Sequence, residues 1–433
     1  MKGITNTIVL FLIPLLIAGI PYRVTPFIVI LAILVLRVCT LNKHTAGFFL
    51  LSYGGQIGAC IRFEFPFLPI YGLMLILLGL LLMWDMRTVV LSQKSSIVGF
   101  LIVLIYFFLA YIFSPNVGER VASNKMADML QNGLFMFYGF CVFSRSTSIN
   151  TEKLCQCLFL SSLLFIVHDM ELLNIAPSSI FDYGWLRFSS ENLFYSDSDD
   201  PILMTFIGYQ PIGMAALYGY AIFLSNINVN RPKLYFYTIL ALQLTLLSGA
   251  RQAVFGFFII VVLRFTLFNL KITHSSNTGK IKSFVIGLIG LYFAIMFIHS
   301  LGISYLSDTI SFGDDGREDL LHAAWLLFFK YPLFGTGIGG FHHYTHMLYP
   351  HNFFAELMCE VGVVGILFLS IIVFNHFKKH KMSVRFLTRN NSLLFLVVAA
   401  LAIRFMVSGD LSSSIELFSA VFACTARAQS LNA

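Results

Sequence analysis

Residues 351–379 read H-N-F-F-A-E-L-M-C-E-V-G-V-V-G-I-L-F-L-S-I-I-V-F-N-H-F-K-K. From Phe353 to Phe374 the run is apolar apart from Ser370 and, near one end, Glu356 and Glu360, and Lys378 and Lys379 follow the other end. A bilayer core takes roughly 20 residues of helix, so a run of this kind crosses it once. Basic residues gather on the cytoplasmic side, which leaves His351 and both glutamates towards the outer face. This one reading sets both the class of the protein and its direction in the membrane.

The pattern repeats outward from there. Apolar runs fall at 4–20, 24–41, 45–61, 66–84, 96–113, 128–144, 154–173, 201–225, 233–248, 252–270, 283–300, 352–376, 392–408 and 411–427. The 433-residue chain is 58% apolar and 11% charged, with a mean hydropathy of +0.83. A soluble domain carries about 25% charged residues, so lipid solvates most of this one. The expected fold is an all-α polytopic membrane protein of about 12–14 transmembrane helices, with short amphipathic helices in an extracytoplasmic loop. Residues 1–433 then form a single integral-membrane domain. The first run follows Lys2 as a secretory signal would, but thirteen further runs favour a retained helix.

A cytoplasmic N-terminus places Lys2, Arg37, Lys43, Arg87, Lys94, Arg145, Lys153, Arg231, Lys233 and Lys378–Lys381 on the inner side, and the C-terminus with them. Of the acidic residues only Asp85 and Glu152 share that side. The net charge of +7 is therefore a topology signal rather than a nucleic-acid-binding one. Two polar loops are exported, 174–200 and 301–351, the latter between the eleventh and twelfth predicted spans. The inner links are short and leave no room for a nucleotide-binding domain, so any chemistry lies outside. The chain shows no internal repeat, which weakens a transporter reading. Most of the seven cysteines lie in apolar runs as small hydrophobes, and Cys155-x-Cys157 lacks a second ligand pair.

Charges this close to hydrocarbon are functional suspects. Arg251 sits in L-L-S-G-A-R-Q-A at an outer end, where Ser248, Gly249 and Ala250 allow a tight turn. It either meets a lipid headgroup and structures the loop, or aims a fork of donors at an anionic substrate. Arg317 and Leu321 stand one helical turn apart, and Trp325 and Phe328 continue that face, so the segment suits the membrane surface. Pairing with Asp314 or Asp315 is the plainer role for Arg317. Gly335-Thr336-Gly337-Ile338-Gly339-Gly340 is either a flexible loop or, through amides such as that of Gly337, an anion cradle.

His342, His343 and His346 invite a zinc reading, but no carboxylate or cysteine stands at ligand spacing beside them. His351 is the candidate base: it precedes a helix start, where the macrodipole keeps the ring neutral and able to accept a proton. Glu356, Glu360, Arg404 and Glu416 fall in outer halves of spans. A Glu360–Arg404 pair is expected, with orientation of His351 or of substrate hydroxyls, together with Asn352, as the sharper role. Loop 174–200 holds Trp185, Arg187 and Glu191; Trp185 and Arg187 are candidate substrate-binding residues, and aromatic rings there suit stacking on sugars. Asp197-Ser198-Asp199-Asp200 reads as a solvated acidic run or, less simply, a divalent-metal site.

His351-Asn352, nine residues, Gly362, two residues and Gly365 resemble the H-N-x9-G-x-x-G signature of the bacterial O-antigen ligase and polymerase superfamily. Arg317-x-x-x-Leu321 is similar to that family's R-x3-L element. S-G-A-R-Q-A resembles its upstream S-R-G-type turn, with Gln252 where glycine is usual. The resemblance covers about Leu244 to Phe374. It implies a multi-pass protein of the bacterial inner membrane with a periplasmic active site. An undecaprenyl-diphosphate-linked glycan is its donor, and a sugar hydroxyl on a second lipid-linked glycan or on lipid A–core is its acceptor. Arg251 and Arg317 would bind the diphosphate and His351 would activate the acceptor, without metal or other cofactor. The lipid bilayer and a chain-length regulator are the further partners it implies. The activity expected is polymerisation of O-antigen or a related surface polysaccharide, with ligation of the polymer to lipid A–core and lipid-linked-glycan transport as the alternatives.

Overall fold

The structure is a computed structural model that describes residues 26–64, 94–145, 150–176, 178–179, 183, 185–187, 189, 206–226, 229–272, 285, 289, 292, 296, 317–347, 349–379, 392–408 and 411–430. The described residues are helical with no strand. In chain order the helices are α1 (Pro26–Val38), α2 (Lys43–Glu64), α3 (Lys94–Ile112), α4 (Arg120–Arg145), α5 (Thr151–Leu172), α6 (Tyr209–Leu224) and α7 (Arg231–Ser248). They continue as α8 (Arg251–Ile272), α9 (Arg317–Lys330), α10 (Gly340–Thr345), α11 (Phe353–Lys379), α12 (Ser392–Ser408) and α13 (Ile415–Ser430). Among the described residues α3, α5 and α11 are each long and apolar enough to cross a membrane. The protein is thus an all-α, polytopic membrane protein, as its apolar runs predict. The runs at 4–20 and 66–84 lie outside the described residues, and that at 283–300 largely so.

The helices form two compact units. Unit 1 comprises residues 1–81 and 148–311, and α5 is its centre. Every residue of α5 from Leu154 to Met170 is buried, under α1, α2, α6 and α7. The helix starts where the Asn150 side chain accepts from Lys153 N–H at 3.0 Å, a standard N-cap. Asn230 caps α7 in the same way, and Gly249 in the left-handed region (φ 72°) stops it. Within unit 1 Arg37 donates to the buried Gln156, and the half-buried Lys233 pairs with Glu152 at 2.8 Å.

Unit 2 comprises residues 82–147 and 312–433. Here α13 lies along α4, and α11 packs against α3, α9, α10, α12 and α13. Gly133 permits the close approach of α4 and α13: a Cβ there would stand 2.8 Å from Ile415, and Ser419 donates to the Gly133 carbonyl at 3.2 Å. Helix α4 starts at Arg120, well ahead of the apolar run that begins at 128. Its polar first turns, R-V-A-S-N-K-M-A, contain nothing that breaks a helix and bury part of their length inside the unit.

Candidate functional site

Unit 2 is organised around an interruption of α11. Gly362 adopts φ 63°, ψ −173°, a conformation open essentially to glycine alone, so the helix breaks there. The broken ladder is repaired by the glycine loop that follows α9. Thr336 and Gly337 donate their N–H groups to the carbonyls of Cys359 (2.8 Å) and Glu360 (2.9 Å). In return Val363 and Val364 donate to the carbonyls of Pro332 (2.9 Å) and Leu333 (3.0 Å). The freed main-chain groups of a membrane helix must find partners, and the loop supplies all four. A Cβ at Gly362 would lie 2.5 Å from Leu333 O, and one at Gly335 2.6 Å from Val361 N, so both glycines allow direct backbone contact.

This placement corrects the anion-cradle expectation for Gly337, because its N–H is already committed to Glu360 O. The loop is held from behind by the α3–α4 turn. Buried Asn116 donates Nδ2 to Thr336 O at 3.2 Å, and Ser114 Oγ donates to Ile338 O at 3.4 Å.

His351 stands two residues before the first residue of α11, with Asn352 as the capping residue. Asn352 Oδ1 accepts from Ala355 N–H at 3.1 Å, and its Nδ2 donates to Met406 O at 2.9 Å. Both ends of this amide therefore fix the helix start. His351 itself is left-handed (φ 54°), a rare backbone for a residue with a Cβ, and its ring lies 4.5 Å from that of Tyr349. Below it, buried Lys125 of α4 pairs with both Glu356 and Glu360, the latter at 2.8 Å. The second oxygen of Glu356 accepts from Leu411 N–H at 2.7 Å. The expected Glu360–Arg404 pair is not formed: Lys125 enters from the polar first turns of α4, ahead of the predicted run 128–144, and takes Glu360, while Arg404 pairs with Glu416 at 3.2 Å. Both glutamates are fully buried, so their role here is to tie α11 to α4 and to the turn before α13.

Arg317 is the first residue of α9, followed by Glu318 and Asp319. Leu320, Leu321 and Phe328 turn towards a core of Ala324, Leu327, Phe341, Ala355 and Cys359, which seats α9 on the N-terminal part of α11. Trp325 departs from the expected shared face: it is exposed, stacked on Phe329 and beside Leu326, an apolar surface suited to lipid. Tyr331 ends the helix, and its hydrogen bond with Tyr344, helped by the Lys330 charge, holds its phenol below the usual value. The other histidines disperse. His343 Nδ1 lies 2.7 Å from Glu119, His342 Nδ1 lies 3.2 Å from Met347 O, and His346 ends α10 in a left-handed turn. Among the described residues no group of three or more potential ligands converges on a metal position.

Arg251, Trp185 and Arg187 belong to unit 1. The turn before Arg251 is as tight as its sequence suggests: Gly249 is left-handed, and Ser248 Oγ accepts from Ala250 N–H at 3.1 Å while donating to Thr245 O at 2.7 Å. It abuts Gly213 of α6, where a Cβ would lie 2.7 Å from that of Ala250. Arg251 begins α8 as a buried residue. Arg187 is buried as well, its guanidinium 5.8 Å from the ring centre of Tyr209, and Trp185 is half-buried. Asp169 closes this end by accepting from Ile207 N–H (3.2 Å) and Gly208 N–H (3.0 Å). Glu191 and Asp197–Asp200 lie outside the described residues.

Lys125 and Asn116 are the participants that sequence reasoning missed. Lys125 carries a signal: the topology expected from the sequence leaves it off the cytoplasmic side, against the general bias of basic residues.

The architecture defines a multi-pass helical membrane protein whose longest apolar helix among the described residues is broken and rejoined in its N-terminal half. Residues 236–370 match the family model described as O-antigen ligase. The match supports placing the chain in the O-antigen ligase/polymerase superfamily, and it spans Arg251, Arg317, His351, the glutamates and both motif glycines. No curated protein matches the chain.

Proposed function

We propose that this protein is a membrane glycosyltransferase that moves an undecaprenyl-diphosphate-linked oligosaccharide onto a sugar hydroxyl at the periplasmic face, polymerising O-antigen or a related surface polysaccharide. Within unit 2, the observation that carries the reading is the build of the His351 position. A left-handed histidine next to a capped helix start is a strained arrangement, and strain of this kind collects at functional sites. The helix below it is fixed by the Lys125–Glu356–Glu360 cluster and by the glycine loop, so the ring is carried on a rigid support.

In the proposed reaction the acceptor oxygen attacks the anomeric carbon, the bond from that carbon to the diphosphate oxygen breaks, and its electron pair leaves with the diphosphate. His351 takes the acceptor's proton, and the positive end of the α11 dipole favours the neutral imidazole that this requires. Arg317 offsets charge on the departing diphosphate. Unit 1 contributes to donor binding through Arg251 and Arg187. Asn352, Glu356, Glu360 and Gly337 act by positioning, Arg404 through its pair with Glu416, and Trp185 with the sugar.

Turnover by purified protein in detergent tests this. His351→Ala is expected to abolish measurable transfer, whereas a pure transporter shows no turnover even in the wild type. Arg317→Lys keeps the charge and loses the planar fork, so transfer should fall strongly. Near-normal rates in either variant overturn its assignment. The same chemistry with lipid A–core as acceptor makes a ligase, a second reading that the family match leaves open beside the first. Gene deletion separates the two. Single repeats on lipid A–core identify a polymerase, and polymer held on undecaprenyl diphosphate identifies a ligase.

A further inference from the structure

Gln252 follows Arg251 at the start of α8, where the family-like turn has glycine. It is only 3% exposed, yet neither its Oε1 nor its Nε2 has a hydrogen-bond partner among the described residues. Trp185 Nε1 is likewise shielded and has no hydrogen-bond partner among the described residues. Buried polar side-chain atoms are nearly always hydrogen-bonded, so an amide with both ends unmade calls for an explanation. Capping of α8 does not supply one, since the side chain bonds to no backbone group among the described residues.

The same end of unit 1 gathers the elements that a small ligand site needs. Tyr183 and Gln243 exchange side-chain hydrogen bonds at 2.9–3.1 Å, and Tyr183 packs against Leu246 and Val254. This pins the segment carrying Trp185 and Arg187 over the end of α7 and the first turns of α8. Arg187 lies against Tyr209 at the start of α6, and α6 abuts the α7–α8 turn at Gly213.

We propose that the Gln252 amide and the Trp185 indole N–H form a subsite in unit 1 that reads hydroxyl groups of the glycan on the lipid-linked donor. The inference rests on the reading of unit 1 as donor-binding. The donor set identifies the ligand class. An amide offers an acceptor beside two donors, which matches a sugar hydroxyl or a vicinal pair, because each hydroxyl both donates and accepts. A phosphate only accepts and would leave Oε1 unmatched; anions are the natural partners of arginine. Because the side chain stands where the related pattern has glycine, the subsite sets which glycan this chain accepts rather than whether transfer occurs.

The test uses full-length protein in detergent and two lipids: the repeat-unit lipid extracted from producing cells, and bare undecaprenyl diphosphate. Gln252→Leu is expected to leave the lipid-free thermal midpoint unchanged or raise it, because an apolar isostere relieves an unsatisfied amide. Its affinity for the repeat-unit lipid should fall about tenfold, with bare undecaprenyl diphosphate binding altered less than about twofold. Trp185→Phe keeps a ring and removes the donor, and should shift affinity in the same selective way. A lowered midpoint with unchanged affinity makes Gln252 a structural residue and overturns the proposal. An equal loss on both lipids shows that it reads the diphosphate or the lipid, and overturns it too. Wild-type protein that binds both lipids equally overturns the donor reading and the subsite together. A wild-type preference that survives in Gln252→Leu overturns the subsite alone.

Discussion

Helices α5 and α11 read alike in sequence: each is an apolar run of more than 20 residues with two acidic side chains near one end, α5 carrying Glu152 in its first turn besides. They are used in opposite ways. In α5 the membrane-length window is 94% buried, the ladder is continuous, and Asp169 serves as an acceptor for two amides of the incoming α6. In α11 only 39% of the window is buried, the ladder is cut at Gly362, and both glutamates share one lysine. A helix wrapped by its own unit gains rigidity from packing on all sides. A helix that faces lipid over much of its surface gains it at one end, from backbone exchange with a loop and from a buried ion cluster. That end is the one that carries His351.

The difference can be broken most severely at Gly362. An alanine there takes on about 1–3 kcal/mol of backbone strain and collides with Leu333 O. If the loop undocks, four main-chain bonds at roughly 1 kcal/mol each go with it, giving an expected loss of about 5 kcal/mol. Thermal unfolding in detergent should show a large fall in midpoint, together with loss of transfer. A stable, active Gly362→Ala protein would mean that the loop does not hold the break.

Lys125→Met comes next. It strands two buried carboxylates, for which about 3–5 kcal/mol of destabilisation is expected. Adding Glu356→Gln and Glu360→Gln should recover part of that midpoint, since neutral amides do not need the ammonium. No recovery would show that the lysine matters through its packing and not its charge.

The helices themselves were legible because hydropathy runs need only composition, and most predicted runs recur within a few residues. The break in α11 was only half visible. Gly362 and Gly365 stood in a recognisable spacing, but nothing local indicated that residues 332–337 would complete the ladder across some 25 intervening residues. Lys125 was hidden for a related reason: one outer lysine carries no mark of its partners, and the Glu360–Arg404 guess chose the nearer candidate in sequence. The glycine loop was read by its flexibility, whereas its glycines serve close backbone contact. Pairings between distant segments depend on the folded geometry, and no periodicity encodes them.

The mildest test falls on the α5 side. Asp169→Asn keeps the shape of the side chain but leaves one acceptor oxygen, where now Gly208 N–H (3.0 Å) takes one oxygen and Ile207 N–H (3.2 Å) shares the other with the His168 ring (2.9 Å). The rotated amide also turns an N–H towards one of those donors. Charge-assisted bonds of this kind contribute about 1.5–3 kcal/mol, and one of the two survives, so a loss of about 1–2 kcal/mol is expected. The midpoint should fall slightly, with amide exchange quickening at residues 207–209 while α5 itself stays protected, because its own ladder is uninterrupted. Exchange that spreads along α5 would show that this continuous helix depends on its end contact as much as α11 does, and the contrast between the two helices would not hold.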